Sequence, residues 1–396
     1  MTILLAIVAA ANVALFLLVL LLFAEVLGAV MKRTSKRPLA GRSITPSFVL
    51  LVPAHDEVSG IEAMLATVLP QLGQTGRVLV VADNCSDATA VLARRAGAEV
   101  IERVDPARRG KGHALDFGVR HLAANPPDIV IIVDADCRVA PGAIERLAQE
   151  AHLLGVPVQG CYLMRAPAGA GLGLRVAELA FLVKNRVRPA GLAAFGLPCQ
   201  LTGAGMALPW RLVSQAHLDH AGLVEDMRLG LELAVDGAAP RFCETASIES
   251  DFPTSAVGAA TQRQRWEEGH LGMIVFALGL LPRALARRRF RAIAQIFDVL
   301  IPPLTLLVVT VSAMTAATIV AAAVLHWPVW LSGLAAATLV LLVAALVLAW
   351  WRFGRTALPP RLALHVVPYA LRKVGLYLRV ALGARSRAWI RTDRGG

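Results

Sequence analysis

The chain has 396 residues, of which 56% are hydrophobic and only 17% are charged. Ordinary soluble domains carry about 25% charged residues, so this composition is typical of a protein that lies partly in a membrane. The formal net charge of +12 does not indicate a nucleic-acid partner, because the basic residues gather beside long apolar segments and not on an aromatic-interleaved surface.

The chain begins with a long apolar segment. Residues 3–23 contain no ionisable side chain and are about as long as the ~20 residues that a helix needs to cross a bilayer. A cleaved signal peptide is the alternative, but no basic residue precedes the run and it exceeds a typical signal core. We therefore predict a transmembrane helix over residues 1–30. The basic stretch that follows is typical of a cytoplasmic membrane border.

Short apolar runs alternate with helical stretches over the next ninety or so residues. The predicted strands are 48–52, 78–82, 99–103 and 129–133, and the predicted helices are 60–72, 89–96 and 111–124. This alternation predicts an α/β domain with a mostly parallel, doubly wound sheet. In such sheets the ligand binds beyond the carboxyl ends of the strands.

Carboxylates follow two of these strands directly. Asp83 ends the second strand, and Asp134 and Asp136 follow the fourth. Two carboxylates so close repel each other unless a cation or proton lies between them, and Mg²⁺ or Mn²⁺ with a substrate diphosphate meets that need. A solvated turn is the alternative. The same alternative applies to Lys111, whose glycine-flanked backbone suits a pyrophosphate.

Two further polar sites come later in the chain. Glu225 and Asp226 begin a helical stretch, where acidic residues are also common as simple dipole-complementing caps. Gln262, Arg265 and Trp266 share one face of a helical turn, and an interfacial Trp–Arg anchor is the alternative there. The apolar, glycine-rich stretch 169–209 is either core or an amphipathic element against the membrane. The five cysteines are scattered and predict reduced thiols, not disulfides or a metal site.

The C-terminal third returns to membrane-type sequence. Residues 271–290 contain an apolar run too short to span and predict an interfacial segment. Residues 292–352 predict two transmembrane helices, the first of which begins near Pro303. Residues 361–396 predict an amphipathic interfacial helix and a basic tail, with a fourth span over 361–387 as the alternative. The basic clusters predict that the globular domain and the C-terminus face the cytoplasm.

Taken in this order, the polar sites resemble those of the membrane-bound family 2 glycosyltransferases, which include cellulose, chitin, hyaluronan and poly-N-acetylglucosamine synthases. The resemblance runs from about Phe48 to Trp266 and is echoed by residues 389–392 near the end. It implies a GT-A-type, Rossmann-like nucleotide-sugar domain over residues 46–270, attached to transmembrane and interfacial helices. It also implies Mg²⁺ or Mn²⁺ as a cofactor.

The resemblance carries residue roles with it. It implies that Asp226 is the general base and that Asp136 is the direct metal ligand. The residues that it implies for nucleotide-sugar binding are Pro53, Ala54, Glu57, Asp83, Lys111, Asp134 and Asp136. Those that it implies for the acceptor and diphosphate are Glu225, Gln262, Arg265, Trp266 and Gly205. Two departures matter: Val224 replaces a usual Thr beside the acceptor, and His55–Asp56 stands where an Asn is often found.

The implied reaction is an inverting sugar transfer from a UDP-sugar to a growing polysaccharide or a lipid-linked acceptor, with exopolysaccharide assembly favoured. A non-processive ceramide- or hopanoid-type lipid glycosyltransferase is the alternative, and a non-catalytic nucleotide-sugar-binding subunit is a remote one. The expected partners are the donor, the acceptor, the lipid bilayer and subunits of a secretion complex, with no nucleic acid. The expected location is a bacterial-type inner membrane, crossed several times.

Overall fold

The computed structural model describes residues 2–32, 46–219, 224–253 and 256–365. Most of the interfacial helix and tail predicted over 361–396 therefore lies outside the described residues. The chain divides into two compact units. The helical unit comprises the described residues of 1–32, 166–195 and 297–365. The sheet unit comprises those of 46–165 and 196–296.

A mixed sheet forms the centre of the sheet unit. Within the described residues it has eight strands, in the order β3-β2-β1-β4-β7-β6-β8-β5. They are β1 (Phe48–Ala54), β2 (Gly76–Asp83), β3 (Glu99–Arg103), β4 (Ile129–Ile132), β5 (Arg138–Val139), β6 (Val158–Arg165), β7 (Met206–Pro209) and β8 (Arg241–Asp251). Strands β1 to β4 are mutually parallel, and β7 runs antiparallel to both of its neighbours. The predicted α/β class with a mostly parallel sheet is confirmed.

Helices make up most of the remaining regular structure in the described chain. Numbered along the sequence, they are α1 (Thr2–Met31), α2 (Ile61–Val68), α3 (Thr89–Arg95), α4 (Lys111–Leu122), α5 (Ala143–Leu154), α6 (Leu172–Leu182), α7 (Arg188–Ala194), α8 (Trp210–Val213), α9 (Glu225–Val235), α10 (Ala256–Ala286), α11 (Phe290–Val299), α12 (Leu304–Leu325), α13 (Val329–Ala349) and α14 (Pro360–Ala363). A π-helical turn, Val183–Val187, joins α6 to α7, and another, Trp350–Gly354, ends α13.

The placement of α4 matters most for the site. Leu115, Val119 and Leu122 recur at helical spacing and are buried in the core that also contains Leu51 of β1. Gly118 lets the helix approach the sheet closely, since a Cβ there would lie 2.5 Å from the Leu51 side chain. This packing holds Lys111, the first residue of α4, at the carboxyl edge of the sheet.

The helical unit is held together by close helix contacts and buried polar groups. Helix α1 packs against α13 and α7. At Gly191 the helices α7 and α1 nearly touch, because a Cβ on Gly191 would lie 1.8 Å from the carbonyl oxygen of Glu25. The Arg188 guanidinium donates to the carboxylates of both Glu25 (2.8 Å) and Asp298 (2.5 Å), and all three side chains are buried. Helices α6 and α7 thus make the first half of the stretch 169–209 part of the helical unit and not of the sheet core.

Among the described residues, four helical stretches are long and apolar enough to cross a membrane: Ile3–Met31, Thr261–Ala286, Leu304–Leu325 and Val329–Gly354. The second of them differs from the sequence prediction, which separated an interfacial segment at 271–290 from the domain before it. In the structure, residues 256–286 form one continuous helix, α10. A break at Pro302–Pro303 separates α11 from α12.

Candidate active site

The polar residues that follow β1, β2 and β4 lie at one edge of the sheet. Parallel pairing sets Ala54 beside Ala82 and Leu51 beside Ile132, so β1 and β2 end at nearly the same level and β4 ends three residues before β1. Asp83 closes β2, and Asp134 comes two residues after β4 ends. The carboxyl ends of these strands therefore present carboxylates to a common region, where ligands bind in open α/β sheets.

Lys111 links two parts of this region. Its ammonium group forms an ion pair with Asp134 and donates a hydrogen bond to the carbonyl oxygen of Gly203 at 2.8 Å. Gly203 has a positive φ of +85°, and a Cβ at this position would lie 3.3 Å from Oδ2 of Asp226. The loop around Gly203 thus brings Asp226, at the start of α9, next to Lys111 and Asp134.

The charges in this cluster perturb one another. Burial disfavours the charged form of Lys111, but Asp134, Glu225 and Asp226 outweigh it, so the pKa of this ammonium is raised. Burial, and then the negative charge of Asp226, raise the pKa of Glu225 to about 7, although Lys111 acts in the opposite direction. One cation therefore balances several carboxylates. Groups with pKa values perturbed in this way are common at functional sites.

The acidic pair after β4 offers ligands for a metal ion. One potential ligand atom from each of Asp134, Asp136 and Cys137 lies within 4.8 Å of the others. Cys137 is fully buried, and burial followed by the two aspartates raises its thiol pKa well above the usual value. A neutral thiol is a poor ligand for a hard cation, whereas carboxylate oxygens are the preferred ones. The donor set therefore fits Mg²⁺ or Mn²⁺ on the carboxylates, with Asp134 shared between the ion and Lys111.

The residues predicted to hold the nucleoside lie at the ends of β1 and β2. Pro53 and Ala54 close β1, and a ring nitrogen of His55 lies 2.7 Å from the carbonyl oxygen of Asp83. The backbone N–H of Glu57 donates to the hydroxyl of Thr89 at 2.8 Å, which ties this loop to α3. Residues 53–57 and 83–89, which are about thirty apart in the sequence, are thus close together in the folded chain.

Arg103 is a residue that sequence reasoning missed. Its guanidinium donates to Oδ1 of Asp83 at 2.5 Å, and both side chains are buried. Asn84 also donates to that oxygen, so Asp83 has only Oδ2 left to accept a bond from a nucleobase. The available signal was the register of β2 and β3, which pairs Asp83 with Arg103 directly, but no local pattern reveals a register between strands.

Gly205 fastens the loop that precedes β7. It has a φ of +72°, its N–H donates to the carbonyl oxygen of Ile132, and its own carbonyl accepts from Gly160, both at 2.8 Å. These bonds join the loop to β4 and β6. Gly205 therefore holds the backbone that carries Gly203, and its predicted acceptor contact stays a prediction.

Helix α10 carries the remaining predicted residues, Gln262, Arg265 and Trp266. Gln262 is buried, and its Oε1 accepts no hydrogen bond from the part of the chain that the structure describes. Helix α10 packs against α9, where the Arg228 guanidinium lies 4.9 Å from the centre of the Phe276 ring. Helix α9, which carries Asp226 in its first turn, is thus the neighbour of the helix that carries Gln262–Trp266.

The predicted site residues therefore fall into three groups. One cluster contains Lys111, Asp134, Glu225 and Asp226 in mutual electrostatic contact, with Asp136 beside Asp134. A second, at the ends of β1 and β2, contains the predicted nucleoside residues. The third group lies on α10. All five cysteines are free thiols, as predicted.

The model of glycosyltransferase-like family 2 matches residues 46–269, more than half of the chain. The chain belongs to this family. The match covers every residue of the three groups, so the acidic cluster at the sheet edge lies within the family 2 domain. The narrower resemblance to cellulose and chitin synthases is not established by this match.

Curated relatives match a shorter part of the family 2 domain. An uncharacterized glycosyltransferase of Mycobacterium tuberculosis is 37% identical over 112 residues, which is 28% of this chain and 45% of that protein. The 4,4'-diaponeurosporenoate glycosyltransferase of Staphylococcus aureus is 34% identical over 113 residues, 28% of this chain and 29% of that protein. The chain thus spans less than half the length of these relatives.

A solved structure covers far more of the chain. The mannosyltransferase PcManGT of Pyrobaculum calidifontis, in complex with GDP-Man and Mn²⁺, aligns with 88% of this chain and 99% of its own, at a TM-score of 0.52 and 18% identity. At that identity the likeness shows the fold, which is the predicted GT-A type.

Proposed function

We propose that this protein is a membrane-bound, metal-dependent inverting glycosyltransferase that moves a sugar from a nucleotide-sugar donor to an acceptor held at the membrane. The observation that carries the proposal is the cluster in which Lys111 is shared between Asp134 and the Gly203 loop, with Asp226 alongside. This arrangement supports the proposal, because the ammonium proposed to meet the leaving diphosphate lies next to the carboxylate proposed to accept the proton. The family 2 domain supports the same chemistry.

In the proposed reaction, Asp226 removes the proton from the acceptor hydroxyl. The acceptor oxygen forms a bond to the anomeric carbon while the bond from that carbon to the donor phosphate breaks. The leaving nucleoside diphosphate takes the electron pair, and the anomeric configuration inverts. An alcohol is a weak nucleophile at neutral pH, so a positioned base contributes about 10²–10⁴-fold to the rate.

Lys111 and the acidic pair serve the leaving group. A Mg²⁺ or Mn²⁺ ion held by Asp136, with Asp134 beside it, would neutralise charge on the diphosphate. Lys111 is already charged and lies at the N-terminus of α4, so it adds a second positive group without reorganisation. Burial of the cluster strengthens each of these interactions relative to water.

The acceptor is proposed from the comparisons and from the helical unit. The Staphylococcus aureus relative is named a 4,4'-diaponeurosporenoate glycosyltransferase, and the described part of this chain has helices long enough to cross a membrane. These observations favour addition of one sugar to a lipid. Processive polysaccharide synthesis is the second candidate, favoured by the Gln262–Trp266 element, which accompanies polymerising synthases. In both cases the family 2 domain faces the cytoplasm of a bacterial-type cell, where nucleotide-sugars are made.

A turnover assay on membranes tests the proposal. UDP- and GDP-sugars are supplied with and without Mn²⁺, and release of the nucleoside diphosphate is measured. Labelled product is then resolved on a gel: one lipid-soluble band supports a single addition, and a ladder supports polymer synthesis.

The matched variants are Asp226→Asn and Asp116→Asn. Asp116 lies on α4 and pairs with Arg120 on the surface, so its loss leaves turnover unchanged. Asp226→Asn lowers kcat by about 10²–10⁴-fold while donor binding persists. Normal turnover by Asp226→Asn would refute the assigned base.

A further inference from the structure

The C-terminal half of α10 packs against α9, although the hydropathy of α10 would let it cross a membrane. Arg228 of α9 stacks on Phe276 of α10, and Asp236, at the C-terminal end of α9, accepts hydrogen bonds from Arg283 (2.7 Å) and Arg287 (2.5 Å). A helix that crossed a bilayer would carry Phe276 into hydrocarbon and take the Arg228 charge with it, which costs several kcal/mol. The packing therefore favours a helix that lies at the membrane surface.

The two sides of α10 have opposite environments. Met273, Ala277 and Ala284 are buried and share one side of the helix. On the other side Leu271, Val275, Leu278 and Leu285 form an exposed stripe, with Val275 74% exposed. An apolar stripe of this kind on a helix beside basic residues is typical of an element in the headgroup region of a bilayer.

An arginine cluster lies where α10 ends. We define it as Arg241, Arg283, Arg287, Arg289 and Arg291. Asp236 is the one carboxylate with a hydrogen bond or ion pair to these arginines in the part of the chain that the structure describes. Five positive charges therefore face one negative charge. Burial, and then the charge of Arg291, lower the pKa of Arg241, so Arg291 is close enough for the two arginines to repel each other.

The cluster is exposed and interleaved with large apolar side chains. Leu285 is 56% exposed and Phe290 is 76% exposed, and both lie between the arginines in sequence. Apolar side chains that enter the acyl region next to arginines that meet phosphates suit a phospholipid surface better than an acidic protein or a nucleic acid. In the sequence, the cluster precedes α12, a candidate span, as basic residues do at a cytoplasmic membrane border.

We propose that the arginine cluster binds the phosphate groups of anionic phospholipids and that this binding restrains α9. The link is Asp236, which joins Arg283 and Arg287 to the C-terminal end of α9, the helix that carries Asp226 in its first turn. Lipid phosphates supply the negative charge that Asp236 alone does not. The arginines therefore become ordered on the bilayer, and α9 becomes ordered with them because Asp236 binds two of these arginines. An effect of lipid binding on turnover would depend on the proposed function, because α9 carries the proposed base. The lipid binding itself does not depend on it.

The test uses the full-length protein in nanodiscs of phosphatidylcholine, with and without phosphatidylglycerol, and needs no substrate. Mass spectrometry of the intact complex measures the phosphatidylglycerol that the protein retains. Hydrogen exchange measures the protection of amides 225–236. We expect phosphatidylglycerol to be retained preferentially and to slow exchange in α9. The double variant Arg283→Gln/Arg287→Gln should lose about fivefold in retention for each arginine removed.

The control is Arg94→Gln/Arg120→Gln, which removes the same charge from exposed sites on α3 and α4 and should leave retention unchanged. Asp236→Asn should keep the retention but abolish the effect on α9 exchange. Equal retention by the wild type and the Arg283/Arg287 variant would overturn the lipid site. Protection of α9 by inorganic phosphate alone, to the extent seen with phosphatidylglycerol, would show a soluble-anion site instead.

Discussion

Gly203 is the residue on which the geometry of the cluster depends most. Its φ of +85° disfavours any side chain, and a Cβ would lie 3.3 Å from Asp226 and 3.5 Å from Nζ of Lys111. We expect Gly203→Ala to lose about 1–2 kcal/mol of stability from the backbone alone. Crowding of Asp226 should in addition lower kcat by at least tenfold. Steady-state turnover and thermal unfolding in detergent measure the two effects.

The variant Gly142→Ala separates backbone strain from crowding of Asp226. Gly142 has a similar φ of +75°, but nothing lies within 4 Å of a Cβ placed there. It should lose comparable stability and keep its turnover. If the two variants lost turnover equally, crowding at Asp226 would not be the cause.

Glu225 predicts a dependence of stability on pH. Its pKa is raised to about 7, above the ordinary value of 4.5, first by burial and then by Asp226. Between these values the folded protein binds more protons than the unfolded chain, so stability falls as pH rises from about 4.5 to 7. We expect a lower unfolding midpoint at pH 8.5 than at pH 5.5. Glu225→Gln should remove much of that difference and raise stability at pH 8.5.

Glu145→Gln is the matched control, because Glu145 is exposed on α5 and, among the described residues, accepts a side-chain hydrogen bond only from Gln149 of the same helix. It should leave the pH dependence as in the wild type. An identical pH dependence in Glu225→Gln and the wild type would mean that Glu225 does not titrate in this window.

At the scale of helices, the Arg188 contacts predict a large loss of stability. Arg188 joins α7 to Glu25 of α1 and to Asp298 of α11, and the three side chains are buried. Arg188→Gln would leave two carboxylates without their cation, which costs about 3–5 kcal/mol. We expect a much lower unfolding midpoint in detergent. The triple variant Arg188→Gln/Glu25→Gln/Asp298→Asn should recover most of the loss, and failure to recover would assign it to packing.

Some elements could be predicted from the sequence because their signals are local. The run Val-Leu-Val-Val-Ala that ends before Asp83 is buried on both faces, so hydrophobicity alone marks β2. In contrast, β8 reads Arg-Phe-Cys-Glu-Thr-Ala-Ser-Ile-Glu-Ser-Asp and has one partly exposed face. Its pairing with β6 joins residues about eighty apart in the chain, with a bulge at Gly160. No local pattern of this stretch predicts that partner.

The candidate site likewise combines features that the local sequence predicts with contacts that only the folded chain reveals. The carboxylates that follow a strand were enough to suggest a metal ion, whereas the role of Asp226 as a base was implied only by the resemblance to family 2 glycosyltransferases. The bond from Lys111 to Gly203 spans 92 residues, and the pair of Arg103 with Asp83 depends on strand register. These contacts decide which charges meet, and they arise only from the folded arrangement of the sheet.

At the scale of the whole molecule, hydropathy and packing disagree about α10. Hydropathy gives four candidate spans, whereas the contacts of α10 with α9 favour a surface helix and leave three. The two arrangements place the turn between α12 and α13 on opposite sides of the membrane. Arginines at positions 283–291 precede α12 and favour a cytoplasmic start for that helix.

We therefore predict that the turn around His326 faces the outside of the cell. A cysteine at this position, in a variant whose five native cysteines are serines, should react with a membrane-impermeant maleimide in intact cells. Val58 is exposed in the sheet unit, so Val58→Cys serves as the cytoplasmic control and should react only after lysis. With α10 as a fourth span, the chain would cross once more before α12 and the turn would be cytoplasmic. Labelling of His326→Cys only after lysis would therefore show that α10 crosses the bilayer.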